Sequence, residues 1–559
     1  MDNQRILLWA ALGFLLLQVW TSWQIDYGPR PVAPVATTAN PTTAQTGIID
    51  QPEAVDATDD LPTPVQSSGT QNTVLPAQAT QEQKGQTITV ETDNLRVFLS
   101  TIGGDIIGVQ LLKYPTSLET PDDPFTLMSN SADQYFVAQS GLQSTTIDAP
   151  SHHSEYQVTQ TEYTLQEGQQ EIRVPLQWTS ETGVAVTKTY IFKRDRYLID
   201  LEYNVSNNTD AAIGINQYRQ LRRKPVTDDE TQSFSYTFIG GVISTPEDAY
   251  SKIKFEDFSD PTNTSKSLGG WAAITEHYFL GAWIPNQDET NTIYTKALTS
   301  PQQRYIIGLQ SEPIQIAGGS TGSLTTGFFV GPKIQDRMKA VAPHLDLTVD
   351  YGFLSVIAKP IFWLLQKIHS IVGNWGWAIV GVTMCIKLLF YKLSEASYRS
   401  MARMRKLQPQ LVSLKERYGD DRAKMGQATM DLYKKEKVNP LGGCLPILVQ
   451  IPVFISLYWV LLESVELRQA PWILWIEDLS LLDKYYVLPV IMGVTMFIQQ
   501  KLNPAPVDPI QAKVFMFMPL VFTIFFAFFP AGLVLYWVVN NTLSIAQQYY
   551  ITRHVLAEK

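Results

Sequence analysis

The hydrophobic and polar positions divide this chain into two parts with different periods. Between about 86 and 345, short segments alternate apolar and polar residues, as at 87–92, 95–100 and 197–205, and turn sequences such as Gly103-Gly-Asp separate them. Alternation with period two predicts β-strands that bury one face. Many short strands without intervening helices predict an all-β sandwich domain over 86–345.

Long apolar runs fill the second part of the chain and predict membrane helices. The five runs fall at about 373–391, 445–463, 486–501, 514–529 and 532–550. Each is close to the roughly 20 apolar residues that a helix needs to cross a bilayer. We therefore expect a helical bundle of five spans to form a core over 371–559.

A further apolar run lies near the N-terminus, over 6–23, and follows Arg5. A cleaved signal peptide is the competing interpretation, but Trp20 and Trp23 stand where small residues should precede a cleavage site. We therefore predict an uncleaved membrane anchor over 1–24. With this anchor the membrane bundle has six spans in total.

Two connecting segments complete the domain organisation. Residues 25–85 are rich in Pro, Thr, Gln and Ala and show no hydrophobic period, so we expect a flexible linker. Residues 346–370 carry apolar side chains at helical spacing together with Trp363, Lys359 and Lys367. This pattern predicts an amphipathic helix that lies in the membrane interface.

The distribution of charge predicts the orientation of the spans. The segment 392–440 holds twelve Lys and Arg against six Asp and Glu, whereas the loop 463–485 holds five acidic residues against two basic ones. Loops rich in Lys and Arg stay in the cytoplasm. We therefore expect a cytoplasmic helical hairpin over 392–444, both termini in the cytoplasm, and the β-sandwich on the opposite side of the membrane.

Composition narrows the classes of function. The 559-residue chain has a net charge of −10, which does not favour direct binding of nucleic acid. Its two cysteines, Cys385 and Cys444, both lie in the membrane part, so no disulfide can form within the sandwich. The six histidines show no spacing typical of a metal site, and no P-loop is present. We expect no metal, no cofactor and no nucleotide hydrolysis.

One lysine interrupts the first apolar run of the core. Lys387 lies about ten residues after Trp377, roughly 15 Å below one predicted interface. A cation at this depth costs ~2.5–3.5 kcal/mol unless it meets water or a partner. Snorkelling to the nearby cytoplasmic interface is one solution, and a water-filled groove is the other.

Polar residues on the other spans favour the groove, because isolated spans have no reason to hold so many. These residues are Thr383, Gln450, Thr495, Gln499, Thr523, Asn540, Asn541, Thr542, Ser544 and Gln547. Interhelical hydrogen bonds of ~0.6 kcal/mol each are the alternative role for any one of them. No acidic residue lies in a span core to neutralise Lys387.

The sandwich offers no convincing catalytic constellation. His277 is the one side chain that suggests acid–base chemistry, and no partner carboxylate can be assigned to it from the sequence. A packed or surface histidine is the simpler interpretation. We therefore expect that the chain is not an enzyme.

Five strings carry a resemblance to a known family. They are VAPHLDLTVDYG at 341–352, KVNPLGGC at 437–444, SVELRQAP at 464–471, LPVIMGVTM at 488–496 and FPAGLVLY at 529–536. Over essentially its whole length the chain resembles the YidC family of bacterial inner-membrane protein insertases, in the Gram-negative form with a large periplasmic domain. The sandwich is then periplasmic, and in this family it resembles a sugar-mutarotase fold without being known as an enzyme.

The resemblance implies a groove formed by five helices, closed outside and open to the cytoplasm and to lipid. The single positive charge in it is usually arginine. Lys387 stands at that position and keeps the charge but loses the planar fork of a guanidinium. Thr383 and Trp537 fall at substrate-contacting positions, and tyrosine is common at the second of them, beside the unchanged Tyr536.

The polar, apolar and basic positions, taken together with the resemblance, predict roles for named residues. We expect the substrate groove to include Lys387, Thr383, Gln450, Asn540, Tyr536 and Trp537, with a hydrophobic slide at Phe454 and Phe525. The basic positions of the cytoplasmic hairpin are Arg399, Arg403, Arg405, Lys406 and Lys415. The partners expected are nascent membrane proteins and the lipid bilayer, together with the Sec translocon and the ribosome.

The function expected is insertion and assisted folding of newly made proteins in the inner membrane. A small-solute transporter or channel is the alternative, although we find no internal repeat and no paired intramembrane charges. A periplasmic carbohydrate enzyme on a membrane anchor is a third possibility, and it leaves five spans unexplained.

Overall fold

A computed structural model gives the architecture of most of the chain. The described residues are 60–62, 85–226, 237–299, 302–419, 421–436, 438, 445–503 and 509–557. The predicted anchor at 1–24 lies outside them, as does the predicted linker 25–85 apart from 60–62 and 85.

The alternating part of the chain forms β-strands. Their bounds are β1 (Thr87–Glu91), β2 (Leu95–Ser100), β3 (Ile106–Ser117), β4 (Thr120–Met128), β5 (Phe136–Gln143), β6 (Glu162–Thr164), β7 (Glu171–Thr179), β8 (Val184–Lys193), β9 (Leu198–Asn207), β10 (Ile213–Arg223), β11 (Gly240–Ser244), β12 (Ser251–Ile253), β13 (Ser265–Leu268), β14 (Trp271–Thr275), β15 (Phe279–Pro285), β16 (Thr290–Leu298), β17 (Arg304–Ser311), β18 (Ile314–Ile316) and β19 (Ser320–Pro332).

The strands pair into two sheets. One has the order β13-β16-β17-β10-β5-β3-β2-β1-β6, with β18 added to β10 and β4 added to β3, and the other has the order β12-β11-β14-β15-β19-β9-β8-β7. The described pairs are antiparallel except that β1 and β6 run parallel. The two-sheet β-sandwich predicted from the period-two pattern is confirmed.

Strand β9 shows how the alternation builds the core. Ile199, Leu201, Tyr203 and Val205 point into the sandwich and are at most 1% exposed, while the residues between them are half-buried or exposed. The buried Trp283 in this core donates its indole N–H to the Gln220 carbonyl at 3.1 Å. Burial of the apolar face therefore explains the strand pattern.

Helices follow the last strand. Their bounds are α1 (Gln335–Lys339), α2 (Ser355–Val372), α3 (Trp375–Leu389), α4 (Tyr391–Lys406), α5 (Gln408–Tyr418), α6 (Arg422–Lys435), α7 (Leu445–Glu463), α8 (Val487–Leu502), α9 (Pro509–Phe526) and α10 (Ala531–Ala557). Short 3₁₀ turns occur at Ala132–Gln134, Phe255–Asp257, Pro261–Asn263, Leu345–Thr348, Gly352–Leu354 and Val465–Leu467.

Two predicted helices differ from those observed. The amphipathic helix expected over 346–370 begins only at Ser355, because Gly352 has a left-handed backbone (φ 63°) and its N–H donates to the Asp350 carboxylate at 2.7 Å. The first arm of the predicted hairpin is divided at Leu407 into α4 and α5. Pro409 explains the break, since the residue before a proline disfavours the helical conformation and proline itself lacks an N–H.

Each of the five predicted spans overlaps one helix, namely α3, α7, α8, α9 and α10. Among the described residues, no single helix combines enough length with enough apolar character to cross a membrane. Helices α3 and α4 are long and apolar enough only when they are taken together, and the angle between them is 67°.

The loop after α7 holds the sandwich against the helices. Arg468 and Gln469 both donate to the Pro115 carbonyl, at 2.9 and 3.0 Å. His277 Nε2 lies 2.9 Å from the Leu462 carbonyl, and its ring stacks on Tyr278. Burial, reinforced by Lys333, lowers the pKa of His277 to about 4, so this histidine is a neutral packing group at neutral pH.

Candidate functional site

The last helix presents a polar face to the other helices. Tyr536, Asn540 and Ser544 follow each other at intervals of four residues on α10, a spacing that places them on one side of a helix. All three are at least 95% buried, at 1%, 5% and 3% exposure. Buried polar groups at this spacing require partners on neighbouring helices.

Lys387 is one of those partners. It lies in the last turn of α3, and its Nζ donates to Ser544 Oγ at 2.7 Å. Ser544 in turn donates to the Asn540 carbonyl at 2.7 Å. Within the described part of the chain no carboxylate lies at ion-pair distance from this ammonium. The side chain therefore reaches the polar face of α10 rather than extending away from the helices.

Gln450 on α7 joins the same group of residues. Its side-chain amide donates to Tyr536 Oη at 3.3 Å and also to Asn540 Oδ1. Helices α3, α7 and α10 therefore meet through Lys387, Gln450, Tyr536, Asn540 and Ser544, which we call the polar cluster.

The polar cluster borders a small cleft. Lys387 and Gln450 line it together with Ile386, Phe390, Leu393, Ser394 and Val449, around a cavity volume of about 10 Å³, which is roughly room for one water molecule. An ammonium has three N–H donors, and Ser544 takes one of them. The other donors of Lys387 are therefore available to water or to a polar group that enters the cleft.

Aromatic side chains lie beside the polar cluster. The Phe454 ring is 6.2 Å from that of Tyr536 and 5.1 Å from that of Trp537. Phe525 is 52% exposed and packs against Phe529 at 4.8 Å. The Trp537 indole N–H is buried and has no hydrogen-bond partner among the described residues. The two expected slide residues thus differ, because Phe454 adjoins the polar cluster and Phe525 faces outward.

Thr383 has different surroundings from the rest of the expected groove. It is 1% exposed, and its hydroxyl donates to the Ile379 carbonyl of its own helix at 2.7 Å. A hydroxyl satisfied in this way offers little to a substrate unless the helix rearranges. Contact between Thr383 and a substrate stays a prediction.

The expected basic positions of the hairpin lie on α4 and α5. Arg399, Arg403, Arg405 and Lys406 are exposed, and Lys415 is half-buried. Arg399 pairs with Glu395 one turn earlier at 3.0 Å. An exposed pair of this kind contributes little to stability, so these side chains are accessible for electrostatic contacts.

Two residues of the site were not singled out by sequence reasoning. Ser544 was only one of many polar residues in the spans, although its spacing of four from Asn540 was a usable signal. Tyr398 on α4 is buried at 6% exposure, and its hydroxyl lies beside Ser544. Nothing in its local sequence distinguishes it, because the bend between α3 and α4 brings it there.

The fold and the polar cluster define a class of protein, a β-sandwich joined to a bundle of apolar helices with a polar centre. Residues 87–364 match the family model for the YidC periplasmic domain, and residues 367–558 match the model for the 60Kd inner membrane protein. The chain therefore belongs to the YidC family of membrane protein insertases, which are not enzymes, and the resemblance carried by the five strings is confirmed.

Individual relatives agree with this assignment. A membrane protein insertase YidC from Methylococcus capsulatus is 52% identical over 556 residues, covering 99% of each chain. That of Nitrosococcus oceani is 50% identical over 559 residues and covers 100% of both. A crystal structure of an active YidC insertase with its first transmembrane domain resolved covers 84% of this chain and 93% of its own, with 17% identity and a TM-score of 0.38.

Proposed function

We propose that this chain inserts membrane proteins by offering their polar segments a partly hydrated path beside the polar cluster. The observation that supports this is the bonding of Lys387, whose ammonium has one hydroxyl partner and no carboxylate among the described residues. A charged amine with unused donors remains stable in an apolar bundle only where water or an incoming group solvates it.

The first step is capture of the substrate. The basic side chains of the hairpin at Arg399, Arg403, Arg405, Lys406 and Lys415 attract the arriving chain in the cytoplasm, where a positive surface raises the rate of encounter. A polar, often acidic, segment of the substrate then enters the cleft beside Lys387 and Gln450. The groove opens to the cytoplasm and to lipid and is closed on the periplasmic side.

The second step is translocation of that polar segment. Lys387, Gln450, Asn540 and Tyr536 replace part of its hydration, which lowers the desolvation penalty for crossing. The membrane potential helps an acidic segment by ~2.3 kcal/mol per charge per 100 mV. The adjoining hydrophobic segment slides along Phe454 and Phe525 into lipid, and Trp537 and Thr383 complete the surface that it meets.

The proposal also includes the arrangement in the membrane. An anchor at 1–24 and a linker at 25–85 precede the periplasmic sandwich at 86–345, and the interfacial segment at 346–370 leads into the five-span core at 371–559. Both termini and the hairpin at 392–444 are cytoplasmic. The Sec translocon and the ribosome are proposed as partners beside nascent membrane proteins and lipid.

Complementation of insertase-depleted cells tests the role of the charge. Lys387→Arg, Lys387→Ala and Lys387→Glu are compared with the same three changes at Lys392, whose side chain is 90% exposed on α4. We expect Lys387→Arg to support growth and Lys387→Glu to fail, with Lys387→Ala failing or growing much more slowly. The Lys392 variants should all grow like the parent.

Membrane levels of every variant are measured in the same cells, so that loss of the protein is not mistaken for loss of insertion. Normal growth with Lys387→Glu at a normal protein level would show that the charge takes no part in insertion. Equal defects at both lysines would instead indicate a general effect of charge on topology.

A further inference from the structure

A segment of the predicted linker meets two histidines of the sandwich. Asp60 Oδ2 lies 3.2 Å from His152 Nε2, and Asp60 Oδ1 lies 3.0 Å from His153 Nε2. All three potential ligand atoms lie within 4.8 Å of one another. The histidines are adjacent in sequence but 92 positions from Asp60, which is why spacing along the chain did not indicate a site.

His152 is held as a metal ligand would be held. Its side chain is 1% exposed, and its Nδ1 lies 2.6 Å from Tyr218 Oη, which also accepts the backbone N–H of His152 at 2.9 Å. Its Nε2 is buried, points at Asp60, and makes no hydrogen bond of acceptable geometry among the described residues. Ligating histidines are commonly fixed in this way through their other ring nitrogen.

The distances suit a small divalent cation. Ligand bonds of about 2.0–2.1 Å at tetrahedral angles place neighbouring ligand atoms roughly 3.3 Å apart, close to the 3.0 and 3.2 Å between Asp60 and the two imidazoles. We propose that Asp60, His152 and His153 bind one Zn²⁺ ion, with a fourth position open to water. Two imidazoles and one carboxylate are a donor set that zinc favours.

Arg222 is the competing partner of Asp60, because its Nη1 lies 3.0 Å from Asp60 Oδ2. Each carboxylate oxygen has two acceptor positions, so Oδ2 can accept from the guanidinium at one position and face the cation at the other. The guanidinium charge repels a cation and lowers the affinity. Removal of this charge should therefore tighten zinc binding if the three residues form a metal site. If they form only an ion-pair network with Arg222, its removal should weaken that network.

Metal binding here would fasten the linker to the sandwich. Two further bonds already hold the same segment, from Gln220 Nε2 to the Asp60 carbonyl at 3.2 Å and from Gln143 Nε2 to the Pro62 carbonyl at 2.9 Å. A metal bound by Asp60 and the His pair closes a loop of about ninety residues, and such closures stabilise the bound arrangement.

The test uses the full-length protein in detergent, purified through a tag without histidine and stripped with EDTA. Zn²⁺ is titrated by calorimetry, and Co²⁺ is titrated by its visible absorption, which reports a tetrahedral site. The variants are His153→Gln and Asp60→Asn, with His554→Gln and Asp59→Asn as matched controls. His153 is half exposed, so its replacement leaves the sandwich core intact.

We expect the parent and both controls to bind one more equivalent of Zn²⁺ than His153→Gln and Asp60→Asn. Arg222→Gln should raise the affinity. Tyr218→Phe should weaken binding by about 10–100-fold while the Co²⁺ spectrum is retained, as for loss of an orienting partner. The same stoichiometry in the parent and in both ligand variants, or no bound Zn²⁺ in the parent, overturns the proposal and leaves an ion-pair network.

Discussion

The sandwich contains a buried lysine and the helical bundle a half-buried one, both without a salt bridge among the described residues, and the two are solvated in different ways. Lys188 in β8 is 0% exposed and donates to the Gly103 carbonyl at 2.8 Å and to the Ser140 carbonyl at 3.1 Å. Tyrosine rings surround it at 5.4 to 5.8 Å. Lys387 instead has one described hydroxyl partner and borders a cleft.

The difference lies in the number of donors that remain unused. The neutral form of the Lys188 amine has two N–H groups, and the two carbonyls around it accept from both, so this form is complete without water. The ammonium of Lys387 has N–H groups for which the neighbouring residues in the described part of the chain provide no acceptor. A buried lysine whose donors are all satisfied belongs to the structure, whereas one with unused donors beside a cleft is available to a ligand.

The largest effect should follow from removing the satisfied lysine. Lys188→Met leaves the Gly103 and Ser140 carbonyls buried without a donor, which should lower the free energy of unfolding by about 3 kcal/mol. Lys387→Met should change it by less than about 1 kcal/mol. Denaturant unfolding of the full-length protein in detergent, followed by tryptophan fluorescence, measures both. Similar losses of unfolding free energy in the two variants would show that the hydrogen bonds of Lys188 and Lys387 contribute equally to stability.

The pH dependence of stability should sharpen the same comparison. Burial lowers the pKa of Lys188 to about 7, although Asp105 partly opposes this, whereas a lysine in the unfolded chain titrates near about 10.4. Between these values the unfolded state binds the additional proton, so stability rises with pH from about 7 to about 10. The rise is at most about 1.4 kcal/mol per pH unit.

Lys188→Met should remove that rise and leave the contributions of other groups unchanged. The quantity to measure is the difference in unfolding free energy between parent and variant at pH 7, 8 and 9. The difference should grow with pH. Parallel curves would mean that native Lys188 keeps its proton into the alkaline range.

A smaller effect is expected from the hydroxyl that holds Lys387. Ser544→Ala removes the acceptor of the ammonium, and a reduction of about two- to fivefold in insertion corresponds to the ~0.6 kcal/mol typical of such bonds in membranes. Thr542→Ala is the matched control, because its exposed hydroxyl donates only to the Val538 carbonyl on the same helix. Insertion of a model substrate into vesicles gives the rate, and equal rates for the two variants would contradict a role for this bond.

The smallest effect is expected at Trp537. Its buried indole N–H has no described partner, so Trp537→Phe removes an unsatisfied donor while it keeps the ring against Phe454. The change should alter stability by less than about 1 kcal/mol and leave insertion intact. Trp537→Ala is the comparison, because it also removes the ring. A strong defect in the phenylalanine variant would show that the N–H itself has a partner during insertion.

The sequence predicts the sandwich well because burial of one face imposes a pattern that can be read without the fold. Strands β1, β2 and β9 coincide with segments of alternating residues, and Gly103 forms the turn expected of it. The apolar runs likewise predict α3 and α7 to within two residues. Local periodicity is sufficient for these elements because each residue's environment depends mainly on its own position in the repeat.

The site could be predicted only in part, because its members meet through tertiary packing. Lys387 was identified by the cost of placing it in an apolar run, and Gln450, Asn540 and Tyr536 by polarity or resemblance. The contribution of Tyr398 depends on the 67° bend between α3 and α4, which no local pattern gives. The meeting of Asp60 with His152 and His153 depends in the same way on chain segments 92 positions apart.

Helix α7 connects the two regions compared above. Near its start Gln450 belongs to the polar cluster, and at its end the Leu462 carbonyl lies against His277 of the sandwich. Twelve residues separate these contacts, or roughly 18 Å along the helix axis. A single helix therefore ties the position of the polar cluster to that of the sandwich, and a shift of α7 along its axis would displace both contacts together.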